Sequence, residues 1–240
     1  MKKVDFKNFI IFENEDFLVI NKPPHFPTLD ERNIITENSI LRLAKAYSAD
    51  AQVAHRLDKE TSGALAIAKN PEAYRHLSMQ FEHREVLKCY HAVSNGVHDF
   101  DQISVYLPII ALPNGIARID RVNGKEAETI FNTIKPYKFH TLVACYPITG
   151  RMHQIRVHLQ CLKAPIVQDD QYGGQSAFIS QIKKKNFNLK NDTEEQPLIQ
   201  RVALHAYSLR FKLMNDEEVS IVAPYPKDFE ALVKQLEKNS

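Results

Sequence analysis

The chain has 240 residues, 44% of them hydrophobic and 25% charged, with a formal net charge of +2. This is an ordinary globular composition, long enough for one large domain or two small ones, and the small net charge does not by itself argue for nucleic acid. No run of about 18 apolar residues is present, so no membrane span is expected, and Met1-Lys-Lys-Val-Asp-Phe6 lacks the apolar stretch of a secretory signal. The three cysteines are odd in number and show no C-x-x-C spacing. That pattern points to reduced thiols in the cytoplasm and against a zinc site.

Phe9-Ile-Ile-Phe12 and Asp16-Phe-Leu-Val-Ile20 predict a strand pair joined by an Asn-Glu-Asp turn, and Asn21-Lys-Pro-Pro24 ends it, because proline cannot continue a central strand. Residues 38–47 predict a helix with Ile40, Leu41, Leu43 and Ala44 on its apolar face. His55-Arg-Leu-Asp-Lys-Glu-Thr-Ser-Gly63 then places one carboxylate, Asp58, among basic side chains, ahead of the apolar run Ala64–Ala68, which reads as a buried strand. A polar block on a loop entering a rigid strand is where function is often mounted, although a solvated turn with a local ion pair is the commoner fate.

Asn70 and Pro71 predict a helix start, with Asn capping and proline in the first turn. That helix runs to about Glu82, with Tyr74, Leu77 and Phe81 facing the core. A strand follows over residues 86–93. Residues 101–147 predict an antiparallel region with turns at Pro113-Asn-Gly115 and Asn123-Gly124. Thr149 is positioned to cap a helix starting around Gly150, which would carry Arg151, Gln154 and His158 on one side and Ile155, Leu159 and Leu162 on another. Arg156 falls near the edge, its stem able to cross apolar surface. His153 and His158 are five apart, the wrong spacing for two metal ligands on one helix face. The polar stretch 183–195 predicts a loop, Leu204–Phe211 and Val219–Val222 predict strands, and Pro226 opens a terminal helix. The basic clusters at 84–91, 151–158 and 183–185 are, taken singly, most simply solvated faces.

Two stretches change the weighing. His55-Arg-Leu-Asp-Lys-Glu-Thr-Ser-Gly63 and Thr149-Gly-Arg-Met-His-Gln-Ile-Arg-Val-His158 together resemble the signatures H-R-L-D-x-x-T-S-G and T-G-R-x-H-Q-I-R-V-H of the RluA-type pseudouridine synthases, without a mismatch. Ile20-Asn-Lys-Pro-Pro24, Lys88–Val93, Gly124–Phe131, Tyr172-Gly173 and Leu204–Phe211 extend the likeness over residues 9–235 or so. Two long motifs in order are far more specific than one short fingerprint. One departure is His25-Phe-Pro-Thr28, where the family often carries a glycine-containing continuation.

The resemblance implies an α+β fold: a mixed, largely antiparallel central sheet with flanking helices and an active-site cleft. It implies one catalytic domain over residues 1–240, without the accessory RNA-binding domain that often precedes it. The implied activity is isomerisation of specific uridines in rRNA or tRNA to pseudouridine. By the same resemblance Asp58 is the expected catalytic carboxylate, Arg156, in preference to Arg151, its expected guanidinium partner, and Tyr90 the residue expected to pack on the base. His55, Arg56, Thr61, Arg151, His153 and Gln154 are the expected substrate contacts. The reaction involves no net oxidation, hydrolysis or group transfer, so no cofactor and no metal are expected. The expected partner is structured RNA, flipped at the target base, and the protein is expected to be a cytoplasmic monomer. Against this stand an inactive RNA-binding protein of the same fold, disfavoured by the joint presence of Asp58, Tyr90 and Arg156, and a nucleoside hydrolase, disfavoured by the lack of clustered carboxylates.

Overall fold

A computed structural model describes residues 5–30, 39–183 and 194–240, and the chain divides into two compact units, Met1–Cys89 with His205–Pro224 and Tyr90–Leu204 with Tyr225–Ser240. In the first unit, β1 (Ile10–Glu13) and β2 (Phe17–Lys22) form the expected antiparallel pair. The Asn14 side chain closes their turn by accepting from the Asp16 and Phe17 amides. Helix α1 (Ile40–Tyr47) is capped by Ser39 and buries Ile40 and Ala44; residue 38 of the expected helix lies outside the described residues. A short β3 (Gln52–Val53) leads to β4 (Ser62–Ala68), and every residue of β4 is buried, as a continuous apolar run requires. Helix α2 (Pro71–Glu82) starts as its sequence predicts, with the Asn70 carboxamide oxygen accepting from the Ala73 amide at 2.8 Å and proline in the first turn. Leu77 is fully buried, and Tyr74 and Phe81 pack against the same core as Phe17, Val19 and Phe211.

The second unit begins within β5 (Leu87–Asn95) and continues through β6 (Ile103–Tyr106), the hairpin β7 (Ile109–Ala111) and β8 (Ala117–Ile119), β9 (Glu128–Pro136) and β10 (His140–Pro147). Its strand order is β5-β10-β9-β6, antiparallel throughout. Pro113-Asn-Gly115 makes the β7–β8 turn, with Gly115 in the left-handed region. Helix α3 (Gln154–Cys161) packs Ile155 and Leu159 into a core shared with Phe131, Val143 and Cys145. It starts later than its sequence predicts. His153 occupies the cap position with φ of 53°, and Thr149 does not cap the helix but donates to the Gln154 side chain. A short α4 (Ile179–Ile182) precedes residues 184–193, so most of the expected polar loop, and two of the three lysines at 183–185, lie outside the described residues.

The chain then supplies β11 (Leu204–Lys212) and β12 (Glu218–Val222), and the terminal helix α5 (Lys227–Lys238) completes the second unit. In the first unit the order is β1-β2-β4-β11, with β3 beside β4 and β12 beside β11. The β4–β11 pair is parallel and the others are antiparallel, which gives the mixed, largely antiparallel α+β architecture expected. All three cysteines are free thiols.

The parallel pair depends on Gly63. Its φ is +117°, and a Cβ built there would lie 2.1 Å from the Ala206 carbonyl oxygen. Neither the conformation nor the approach tolerates a side chain. The Gly63→Ala variant is expected to lose about 3 kcal/mol or more of stability, read as a fall in the urea midpoint. A midpoint equal to the wild type would show that this strand pairing has slack.

Candidate active site

In the first unit, Asp58 sits half-buried on a loop that is fixed at nearly every residue. His55 is held first. Its Nε2 accepts from the Ala66 amide at 3.0 Å, and its ring stacks on Phe81 with centroids 4.5 Å apart. Burial, reinforced by the Lys88 charge, pulls its pKa down to about 3. His55 is therefore neutral, and the nitrogen that receives the strand amide is its acceptor. Leu57 is held next: the Thr28 hydroxyl donates to the Leu57 carbonyl (2.8 Å) and accepts from its amide (3.1 Å). The Thr61 amide donates to the Asp58 carbonyl at 3.0 Å and closes the turn.

The strongest tie is Lys22. Its side chain is fully buried, and Nζ donates to the carbonyls of Phe26 (2.8 Å), Pro23 (3.0 Å) and Lys59 (3.1 Å). An ammonium has three donors, and three backbone dipoles take the place of its water. The lysine of Ile20-Asn-Lys-Pro-Pro24 thus joins the segment after β2 to the residue next to Asp58. In that segment His25 adopts φ of +68° and pairs with Glu60 at 2.8 Å. The departure from the family's glycine therefore keeps a conformation that glycine favours, with the imidazole anchored to the Asp58 loop.

In the second unit, the 149–158 motif divides into a scaffold and a charged centre. The Gln154 side chain is saturated. Its Oε1 accepts from the Thr149 hydroxyl (2.6 Å) and the Arg151 amide (2.9 Å), while Nε2 donates to the Glu128 carbonyl (2.8 Å) and the Thr129 hydroxyl (2.9 Å). The chain of bonds continues from Thr129 to His158 Nδ1 (2.9 Å), and His158 Nε2 donates to the Leu107 carbonyl (3.0 Å). Burial lowers the His158 pKa, partly offset by that carbonyl, and keeps the ring neutral.

Arg156 is the charged centre. It is buried, with Nε and Nη2 gripping Asp169 Oδ2 and Oδ1 at 2.7 Å each, and Nη2 also reaching Gln171 Oε1 at 3.0 Å. Its guanidinium lies 4.8 Å from the Tyr172 ring centroid. The Tyr172 hydroxyl in turn accepts from the Ala117 amide and bonds His153 Nδ1, both at 2.9 Å. A guanidinium has five N–H donors, and this clamp engages three of them and fixes the plane of the fork. Arg151 donates from Nε to the Glu126 carbonyl at 2.9 Å. Tyr90 is half-buried on β5, opposite Cys145 of β10, and packs against the unit's core.

Within the first unit the structure thus gathers His55, Arg56, Asp58 and Thr61 on one loop, and within the second it gathers Arg151, His153, Gln154 and Arg156 around the start of α3. Arg56 is exposed. Of the other expected substrate contacts, His55 accepts from its strand amide and stacks on Phe81, Thr61 is buried in the turn, and the polar atoms of Gln154 are engaged within the fold. Lys22, Asp169 and Tyr172 were given no part by sequence reasoning, although Lys22 and Tyr172 stand in quoted motifs; Asp169 carried no signal beyond its place three residues before Tyr172. Among the described residues, no group of three or more His, Cys, Asp or Glu is placed to hold a metal ion, and no helix is long and apolar enough to cross a membrane.

Comparison with known proteins gives the family and the fold. The family model described as RNA pseudouridylate synthase matches residues 16–161. The ribosomal large subunit pseudouridine synthase C of Buchnera aphidicola is 36% identical over 239 residues, covering 96% of this chain and 71% of the relative. The protein of the same name from Escherichia coli is 34% identical over 235 residues, covering 95% and 69%. An uncharacterised RNA pseudouridine synthase of Zymomonas mobilis is 32% identical, covering 92% and 94%. Among solved structures, human RNA pseudouridylate synthase domain containing 1 superposes with a TM-score of 0.68 at 25% identity, over 94% of this chain and 87% of that one. Human RNA pseudouridylate synthase domain containing 4 shares the fold with a TM-score of 0.71 at 23% identity, over 97% and 94%.

Fold and motifs together define an isomerase that converts uridine to pseudouridine in RNA. The chain belongs to the RNA pseudouridylate synthase family.

Two outcomes follow from these contacts. Asp169→Ala leaves the Arg156 guanidinium buried without its carboxylate, and a stability loss of about 3–5 kcal/mol is expected, together with a fall in activity; the urea midpoint and a turnover assay measure both. For His55 the folded pKa is about 3 against an ordinary 6.5. The unfolded chain takes up a proton that the folded protein refuses, so stability falls as pH drops through that window. Between pH 7.5 and pH 5 the His55 contribution to this loss is about 2 kcal/mol. His55→Gln should remove that part of the pH dependence, measured by urea unfolding at the two pH values.

Proposed function

We propose that this enzyme isomerises uridine in large-subunit ribosomal RNA, with Asp58 as the catalytic carboxylate. The observation that carries the assignment of Asp58 is the fixing of its loop by Lys22, Thr28 and His55. A group that must meet one ribose or base atom is served by a backbone that does not move. The rRNA substrate is supported by the names of the Buchnera and E. coli relatives. In the reaction the N1–C1′ bond of uridine breaks, the base turns, a C5–C1′ bond forms, and the C5 proton leaves while N1 gains one. The balance needs no oxidant and no second substrate.

By the motif match, Arg156 is the cation that keeps the Asp58 carboxylate ionised and directed. Tyr90 stacks on the uracil and assists at C5. The uridine is flipped from its helix or loop, at a cost of a few kcal/mol that contacts to phosphate and base offset. Arg56, Arg151 and His153 are assigned to those contacts. In this reading residues 1–240 act as one catalytic domain, as a monomer, in the cytoplasm.

The test uses rRNA and tRNA transcripts labelled with tritium at uridine C5. Tritium release is expected from the large-subunit rRNA transcript, and Asp58→Asn should reduce it by about a thousandfold or more while the urea midpoint stays near the wild-type value. Full activity in a folded Asp58→Asn protein would remove the carboxylate from the mechanism. Release from tRNA alone would reassign the substrate.

A further inference from the structure

Gln171 stands in the short 3-10 turn Asp170–Tyr172, between the two residues that hold Arg156. The turn is locked from within: the Asp169 carbonyl accepts from the Gly174 amide at 2.8 Å and from the Tyr172 amide at 3.0 Å. The Asp169 and Tyr172 side chains are buried, whereas Gln171 is exposed. Its side chain is nevertheless tied at one end, where Oε1 accepts from Arg156 Nη2 at 3.0 Å.

A guanidinium donates and has no acceptor, so only the oxygen of a carboxamide can face it. That decides the orientation of Gln171. Its oxygen is on Arg156, and its NH2 group, on the other branch of the carboxamide, is directed away from the guanidinium. An exposed glutamine ordinarily turns freely, at an entropic cost to any ligand it binds. Here the fold has already met that cost. A neutral donor is thus held one hydrogen bond away from the cation assigned to the reaction.

The reaction supplies an acceptor of matching chemistry. When N1–C1′ breaks and the electron pair stays on the base, negative charge spreads from N1 onto the ring carbonyls O2 and O4. A preorganised N–H donor aimed at such an oxygen stabilises the charge as it develops. A phosphate carries its full charge throughout and is served by cations instead.

We propose that the Gln171 carboxamide NH2 donates to a ring carbonyl of the target uracil, O2 or O4, holding the base and stabilising it as it leaves the ribose. The inference rests on the reading that Arg156 serves the uridine isomerisation.

For the test, the RNA that releases tritium is mapped for its pseudouridine. A stem–loop spanning that site is made with uridine, 2-thiouridine or 4-thiouridine at the target, each tritiated at C5. Sulfur is a much poorer acceptor than oxygen. Single-turnover release is compared in wild type, Gln171→Leu and Gln171→Glu. Gln171→Leu should be about tenfold slower on uridine. Its urea midpoint should stay near that of wild type, because the residue is exposed and Asp169 still grips Arg156. Gln171→Glu keeps an acceptor for Arg156 but has no donor, and should be slowed at least as much. The deciding readout is the coupling: thiolation at the contacted carbonyl should slow Gln171→Leu about tenfold less than it slows wild type. Coupling to 4-thiouridine puts the contact at O4, where uracil differs from cytosine; coupling to 2-thiouridine puts it at O2. A glutamine that merely steadies Arg156 would slow all three RNAs equally when replaced. That result, or wild-type activity in Gln171→Glu, would overturn the proposal. An inactive wild type overturns the proposed function and this contact with it, whereas absent coupling beside an active wild type strikes Gln171 alone.

Discussion

A fully buried ammonium holds the first unit's functional loop. Lys22 Nζ donates to the carbonyls of Pro23, Phe26 and Lys59. Burying a charge this way is tolerable only if all three donors are satisfied at once, which fixes three backbone positions relative to one another. Two of those belong to the segment after β2 and the third adjoins Asp58. The prolines at 23 and 24 stiffen the first segment and give up amides that nothing there needs. Because the constraint runs through backbone atoms, it fixes the main chain from which Asp58 projects.

The second unit solves a similar problem with different chemistry. Arg156 must be oriented inside a core, and carbonyl dipoles would not fix the plane of a guanidinium. Asp169 does, through two parallel bonds, and Tyr172 supports the flat face. The network from Thr149 through Gln154 to His158 holds the start of α3 against β9, and that is where the arginine is mounted. A comparable fork, Arg201 on Asp228, ties the segment before β11 to α5. There burial pushes the Asp228 carboxyl up, but the Arg201 bond and charge outweigh it and keep the group ionised.

What was legible in the sequence was what local chemistry decides. Asn70 and Pro71 start α2 because a cap and a ring with no amide act over three residues, and Ala64–Ala68 is a buried strand because nothing in it can face water. The two long motifs announced the family for the same reason: contiguous residues carry them. The misses are all long-range. Gly150 was taken as the start of a helix that begins at Gln154, since Thr149 finds a better partner in the Gln154 side chain and the Glu128 amide than in a helix cap. Asp169 lies thirteen residues from Arg156, outside any helical or strand period. Lys22 stood only as one letter of a motif, and only the fold brings the carbonyl of Lys59 to it. The partners of His55 and Gln154, a β4 amide and the backbone of β9, likewise exist only after folding.

Two buried cations thus stand in two electrostatic regimes. Lys22 is balanced by dipoles and Arg156 by a carboxylate, and in both cases the folded protein gains a fixed geometry in return for desolvation. Dipole- and carboxylate-balanced charges are explained by the architecture they stabilise. On that logic desolvation at Lys22 and at Arg156 is offset by the rigidity each gives, one to the Asp58 loop and the other to the start of α3.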